Sequence, residues 1–293
     1  MMETLINLVD KTLDEYVQVG YPKSIFESMK YTLSLKGKRL RPVMCLETAR
    51  LLGADINAAL PAACALEMLH VQSLIHDDLP CMDNDDFRRG KPSNHKVFGE
   101  AIAVLAGDAL LTYAPQMIIE KSTMLSQAQI LSIVYEYTKA AGAFSLIGGQ
   151  VADIESEGGT FERSKEETLN YIHLNKTAVL FKLAVKMATI VASASEVQKK
   201  EFDEFATKFG LAFQIYDDIM DEISSFEELG KTIGKDKDAQ KLTYVSLYGL
   251  GEAKIKCLSL LKDCRVIIEK YESEIFNSIL DKIEKRLEVR ESC

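Results

Sequence analysis

Two runs of acidic residues carry the spacing of a metal site. The first holds Asp77, Asp78, Asp83, Asn84, Asp85 and Asp86; the second holds Asp217, Asp218, Asp221 and Glu222. Each follows a strongly apolar stretch with helical periodicity, where a bare carboxylate is costly unless paired or bound to a cation. At about 100° per residue, Asp217 and Asp221 lie about 40° apart on one helix face and can reach one hard cation. Asp77 and Asp83 would lie about 120° apart on a straight helix. Pro80 removes a helical hydrogen bond between them, so the helix is expected to bend or end there and return Asp83 toward Asp77. Oxygen ligands without a Cys or His cluster suit Mg²⁺, which keeps waters and bridges to phosphates. A single acidic run reads equally as a solvated helix end. Two of them on apolar helices favour the metal.

Cations complete an anion site. Lys36, Lys38, Arg39 and Arg41 surround Gly37 just before Pro42, and Arg88, Arg89 and Lys91 follow the first acidic run. Guanidinium forks and ammonium charges are what diphosphate recognition needs, and a glycine lets backbone come close. Alone, either patch reads as solvated loop charge; next to metal-ligating acids, the second does not. Lys176 with Thr177, Lys231 and Lys241 add further cations. His70 is compatible with a core histidine or a phosphate donor, and by itself reads as the former.

These groups must be positioned by helices. Apolar residues recur at helical spacing throughout the 293 residues, and alternating β-branched runs are missing, so the chain reads as all-α. Helices are expected over 4–18, 22–35, 42–52, 56–79, 97–121, 126–140, 144–154, 165–192, 196–223, 251–271 and 273–289. Ser164 with Glu167 forms a capping box, and Ser225 with Glu228 is positioned to start a turn. No Pro/Ser/Gly linker divides the chain, which predicts one domain over residues 1–293. With 44 acidic against 35 basic side chains, the net charge of −9 argues against a sequence-independent nucleic-acid binder. Six cysteines without a CxxC pair read as free thiols of a cytoplasmic protein rather than a zinc site. The N-terminus reads as a first helix, not a leader. The most apolar stretch, 177–195, is interrupted by Lys182 and Lys186 and reads as a buried helix, so no membrane span is expected.

The run from Ser73 through Pro92 resembles the first aspartate-rich motif of trans-isoprenyl diphosphate synthases, in the form with four residues between the second and third Asp. Lys36 to Pro42, Gly149–Gln150, Lys176–Thr177, Gln214 to Asp221, and Lys241 to Tyr244 match the other motifs in order. The resemblance implies a single-domain helical bundle around a deep central cavity, homodimeric, that joins isopentenyl diphosphate to an allylic diphosphate. It also implies the roles of residues. Lys38, Arg41, His70 and Arg89 would bind the diphosphate of isopentenyl diphosphate. Asp77, Asp83 and Asp217 would hold three Mg²⁺ on the allylic diphosphate, with Asp78, Asp218 and Asp221 completing the acidic set. Arg88, Lys176, Lys231 and Lys241 would grip that diphosphate, and Thr177 and Gln214 would steady the cation. Breaking the allylic C–O bond creates a carbocation and a highly charged leaving group, which calls for divalent ions and cations at the diphosphate and apolar walls elsewhere. Two departures stand out: Lys36 replaces a common Gly, and Lys235 competes with Lys231 for the contact to substrate.

Product length in this family is limited by side chains below the aspartates. Gln72, the fifth residue before Asp77, is neither the aromatic common in farnesyl synthases nor the Met of geranylgeranyl synthases, and its amide needs a partner. The fifteen-carbon product is favoured and the twenty-carbon product is the alternative. A class I terpene cyclase should lack the second acidic motif and the Lys36–Arg41 patch. A di-iron bundle would need a second Glu-x-x-His besides Glu67 and His70, and the chain has none. A non-catalytic partner subunit should have lost site residues, and the principal ones are all here.

Overall fold

A computed structural model describes residues 1–157, 159, 161–223 and 241–288. Those residues are almost entirely helical, as expected. In order they form α1 (Met2–Tyr16), α2 (Lys23–Ser34), α3 (Leu40–Leu51), α4 (Ile56–Asp77), a hairpin of β1 (Phe87–Arg88) and β2 (Lys91–Pro92), α5 (Asn94–Phe98), α6 (Glu100–Lys121), α7 (Gln127–Ala141), α8 (Leu146–Glu157) and α9 (Lys165–Ile172). A π-helical turn, His173–Ala178, leads into α10 (Val179–Val191), and then come α11 (Glu196–Ile223), α12 (Tyr244–Tyr248), α13 (Leu250–Ile268) and α14 (Glu274–Glu288). The chain clusters into two compact units, one with Met1–Tyr137 and Ile190–Ala192, the other with Thr138–Thr189 and, among its further described residues, 193–223 and 241–288.

In the first unit α4 is central. Its N-cap Asp55 accepts from the Asn57 amide at 2.8 Å. Its alanines 59, 62, 63 and 65 are fully buried, and such small side chains let α3 and α6 lie close against it. Glu67 in the middle of this helix is buried against Arg39, Nη1 to Oε1 2.6 Å. Arg39 also meets Asp10 at 2.7 Å and donates to the Leu33 carbonyl. By length and composition α4 and α6, rather than 177–195, are apolar enough to cross a membrane; 83% of the apolar stretch of α4 is buried, as in a core helix.

In the second unit α11 packs on α13 and on the π-helical turn. Phe205, Phe209 and Phe213 form a stripe at four-residue spacing; Phe181 meets Phe209 edge-on at 5.0 Å, and Phe276 covers Phe205 at 5.0 Å. The stripe sets the rotation of α11 about its axis and so the direction of the acids at its end.

Three expected helices change on folding. The helix expected over 97–121 breaks at Gly99, whose φ of 82° separates α5 from α6. The one over 165–192 is interrupted by the π-turn, and the one over 56–79 stops at Asp77. The β1–β2 hairpin and α12 were too short to carry a periodic signal. Ser164 and Glu167 form the expected capping box; Ser225 and Glu228 lie outside the described residues.

Candidate active site

In the first unit the chain wraps around the end of its own helix. Pro80 has no amide to donate, and beyond it the Asp83 amide donates to the Asp77 carbonyl at 2.9 Å. Asn84, at φ 50°, donates to Leu79 at 3.1 Å, and the Asp85 amide to Asp78 at 3.2 Å. The backbones of Asp77 and Asp83 are thereby neighbours, as the position of Pro80 led us to expect. Asp78 turns the other way. Its side chain is 1% exposed and accepts from Arg88 Nε at 2.9 Å and from Arg88 Nη2. Arg88 also reaches Asp85 at 3.3 Å. Burial pushes the Asp78 carboxyl up and Arg88 opposes that shift. Asp78 and Arg88 together pin the loop that carries Asp83.

The basic patch divides. Arg39, grouped with the anion-binding cations by spacing, is committed to Asp10 and Glu67 and is a core ion pair. Two others lie near one another: Arg41 Nη1 is 3.4 Å from His70 Nε2, and Arg89, which donates to the Leu35 carbonyl at 3.0 Å, also acts on that imidazole. A Cβ on Gly37 would sit 2.6 Å from the Arg89 guanidinium carbon, so the glycine makes room for that side chain. Burial, then Arg41 and Arg89, hold His70 well below the ordinary histidine pKa. A neutral imidazole thus sits half-buried beside the Arg41 guanidinium. Lys38 projects, exposed, from the same loop.

One turn below the aspartates, the amide of Gln72 finds its partner. Gln72 Nε2 lies 3.0 Å from His76 Nδ1, and His76 Nε2 lies 3.0 Å from the Val104 carbonyl. A carbonyl only accepts, so Nε2 carries the imidazole proton, Nδ1 accepts, and Gln72 donates. Gly107 leaves space for the ring: a Cβ there would be 2.0 Å from His76 Nε2.

In the second unit the π-helical turn presents Lys176 and Thr177. A π-turn inserts a residue into the helix register and re-aims what it carries. Gly149 of α8 makes this possible, since a Cβ there would lie 2.5 Å from the Lys176 amide nitrogen. Asp153 and Glu157, four apart on α8, each hold a predicted phosphate-binding lysine: Lys176 at 2.5 Å and Lys241 at 3.3 Å. The Thr177 hydroxyl donates to Gln214 Oε1, Gln214 Nε2 donates to Asp218 Oδ1 at 2.8 Å, and the Tyr244 amide donates to Asp218 Oδ2 at 2.8 Å. His173 Nε2 lies 3.4 Å from the same oxygen. Asp218 is therefore buried in protein contacts, while Asp217 is exposed and Asp221 half-buried on the last turns of α11. Lys231 and Lys235 lie outside the described residues.

Sequence reasoning missed Asp153, Glu157 and His173. The i, i+4 spacing of Asp153 and Glu157 on one helix was a usable signal for the first two; His173, three residues before Lys176, carried none.

Among the described residues no group of three or more His, Cys, Asp or Glu gathers as a closed metal cage. Pairs of carboxylates at an open helix end are instead what Mg²⁺ uses when water and phosphate supply its other ligands. The acidic pair 77/83 and the i, i+4 pair 217/221 fit that donor chemistry.

Residues 22–278 match the family model described as polyprenyl synthetase. The chain belongs to this family. The geranylgeranyl pyrophosphate synthase 7 of Arabidopsis thaliana is 46% identical over 274 residues, 94% of this chain and 79% of that protein. The farnesyl diphosphate synthase of Geobacillus stearothermophilus is 46% identical over 250 residues, 85% of this chain and 83% of that one. A solved geranyltransferase of Helicobacter pylori, in complex with magnesium and isoprenyl diphosphate, superposes with a TM-score of 0.80 at 27% identity, over 98% of this chain and 95% of that one. This polyprenyl synthetase is a prenyltransferase that elongates prenyl chains.

Proposed function

We infer that the protein condenses isopentenyl diphosphate with dimethylallyl or geranyl diphosphate, in a Mg²⁺-dependent reaction, to give farnesyl diphosphate. The observation that carries the substrate assignment is the convergence of Arg41, Arg89 and neutral His70 around the loop of Gly37 and Lys38. Such a cluster binds a diphosphate that stays intact. The pair Asp77 and Asp83 and the pair Asp217 and Asp221 each fit Mg²⁺, which when bound would neutralise charge on the departing diphosphate. Lys176 and Lys241 are preset for the same group by Asp153 and Glu157, which hold them in place until a more highly charged partner arrives. Thr177 and Gln214 offer oxygen atoms to the positive charge on the prenyl fragment.

The fifteen-carbon product is supported by the fixed geometry of Gln72. Tied to His76 and through it to the Val104 carbonyl, it is a fixed side chain rather than a flexible arm on the helix that ends in Asp77. The twenty-carbon product is supported by the Arabidopsis relative and by the lack of an aromatic ring at position 72. A cytoplasmic location is supported by the described cysteines, all of which are free thiols. A homodimer is supported by the outward apolar side chains of α6 and α7, among them Ile119 at 59%, Leu131 at 71% and Tyr135 at 61% exposure.

Incubation with Mg²⁺, isopentenyl diphosphate and each allylic primer, followed by chromatography of the dephosphorylated alcohols, tests the reading. A dominant fifteen-carbon alcohol is expected. A dominant twenty-carbon alcohol replaces the product assignment, and absence of any elongated alcohol ends the enzyme assignment.

A further inference from the structure

Asp218 stands apart from the other acids of its run because its contacts run into the protein. Its carboxylate can only accept, and it takes the Gln214 amide nitrogen at 2.8 Å and the Tyr244 backbone amide at 2.8 Å, with His173 Nε2 3.4 Å away. The direction of every later bond follows from that. With Nε2 bound to Asp218, Gln214 must turn its carbonyl oxygen to Thr177. With that oxygen as its neighbour, the Thr177 hydroxyl must donate. Its proton is used there, and the oxygen lone pairs are left to face elsewhere.

We propose that Asp218, steadied by His173 and the Tyr244 amide, is a positioning residue: acting through Gln214, it presents the Thr177 hydroxyl by its lone pairs, not its proton, to the cation formed on the allylic substrate. This rests on the prenyl-transfer reading above. Oxygen lone pairs stabilise an adjacent carbocation, whereas a hydroxyl proton turned to the same place repels it, so the relay converts a buried carboxylate into a catalytic dipole of fixed sign. It also gives Asp218 a role separate from metal binding.

Asp218→Asn inverts the relay at nearly constant shape. The new side-chain amide keeps its oxygen on the Tyr244 amide and offers its amino group to Gln214, which flips and donates to Thr177; the hydroxyl proton then swings toward the substrate. Wild-type turnover with isopentenyl and geranyl diphosphate is the control, and its absence ends the prenyl-transfer reading rather than this proposal. With an active wild type, Asp218→Asn is expected to lower kcat by about 10²-fold, with KM for both substrates changed less than about twofold. Mn²⁺ binding in the presence of an unreactive thiolo-diphosphate analogue, read by electron paramagnetic resonance, is expected to be unchanged. Adding Gln214→Glu puts the carboxylate one step along, where it accepts both from the amino group now at position 218 and from Thr177, and is expected to recover kcat by at least about tenfold. Should the Asp218→Asn variant not fold, Thr177→Val carries the test with the same expected loss in kcat. A roughly tenfold weaker Mn²⁺ affinity in Asp218→Asn would make the residue a metal ligand and overturn the proposal. So would an unchanged kcat in either single variant, or a double variant no faster than Asp218→Asn.

Discussion

Asp77 and His70 lie seven residues apart on α4 and are given opposite tasks by their surroundings. Asp77 closes the helix and shares its end with Asp83, so its carboxylate stands where a hard cation can be bound. Asp77→Ala is expected to lower kcat by about 10²–10³-fold at saturating Mg²⁺, measured by incorporation of labelled isopentenyl diphosphate; activity near wild type would remove Asp77 from the site. His70 is held neutral by burial and by Arg41 and Arg89, with its pKa below that of the unfolded chain. A depressed histidine pKa means that the unfolded state binds more protons as pH falls below about 6.5. The histidine therefore costs stability on the acid side, beginning near pH ~6.5 and growing until the folded-state pKa is reached. Thermal melts of wild type and His70→Gln from pH ~7.5 to ~5 check this. The difference in Tm is expected to move in favour of the variant as pH falls, and a pH-independent difference would show that His70 titrates normally.

The π-helical turn shows how a helix is tuned to a task at the level of the element. Its extra residue brings Lys176 and Thr177 to the side facing Asp153 and Gln214, and this requires the backbone of α8 to come close at Gly149. Gly149→Ala places a carbon 2.5 Å from the Lys176 nitrogen, a backbone atom that cannot swing away. The expected cost is about 1–3 kcal/mol of stability together with a fall in kcat. Gly251→Ala on α13, where a Cβ meets nothing within 4 Å, is the control and is expected to be neutral or slightly stabilising in chemical denaturation. Equal effects at the two glycines would mean that the π-turn does not depend on close approach. The short hairpin β1–β2 follows the same logic, because it sets Arg88 against Asp78 and so holds the loop of Asp83.

For the whole molecule, the apolar surface on α6 and α7 is the feature that solvent does not explain. Leu131 and Tyr135 lie four apart on α7, and both are largely exposed. Sedimentation of the wild type is expected to give twice the chain mass, and Leu131→Asp is expected to shift it toward the monomer by burying a charge in an apolar contact. A monomeric wild type, or a variant still dimeric at low concentration, would take this face out of the assembly. At the same scale, the net charge of −9 describes no part of the site, since its cations are matched locally by acids, as Arg88 is by Asp78 and Lys176 by Asp153.

The helical class, the sites of most helices, and the acids and cations of the two motifs were all legible from residue type and spacing, because periodicity, proline and glycine act locally. Even the return of Asp83 to Asp77 followed from Pro80. The partners were not legible. Arg39 and Arg41 differ by two positions in one basic run, yet one is sealed against Glu67 and the other meets His70. Asp217 and Asp218 are adjacent, yet one faces solvent and the other organises Gln214 and Thr177. Adjacent residues on a helix point about 100° apart, and which direction is the interior depends on what packs there. That choice belonged to the tertiary structure: the phenylalanine stripe rotated α11, the alanines seated α4, and the glycine at 149 admitted the turn that carries Lys176.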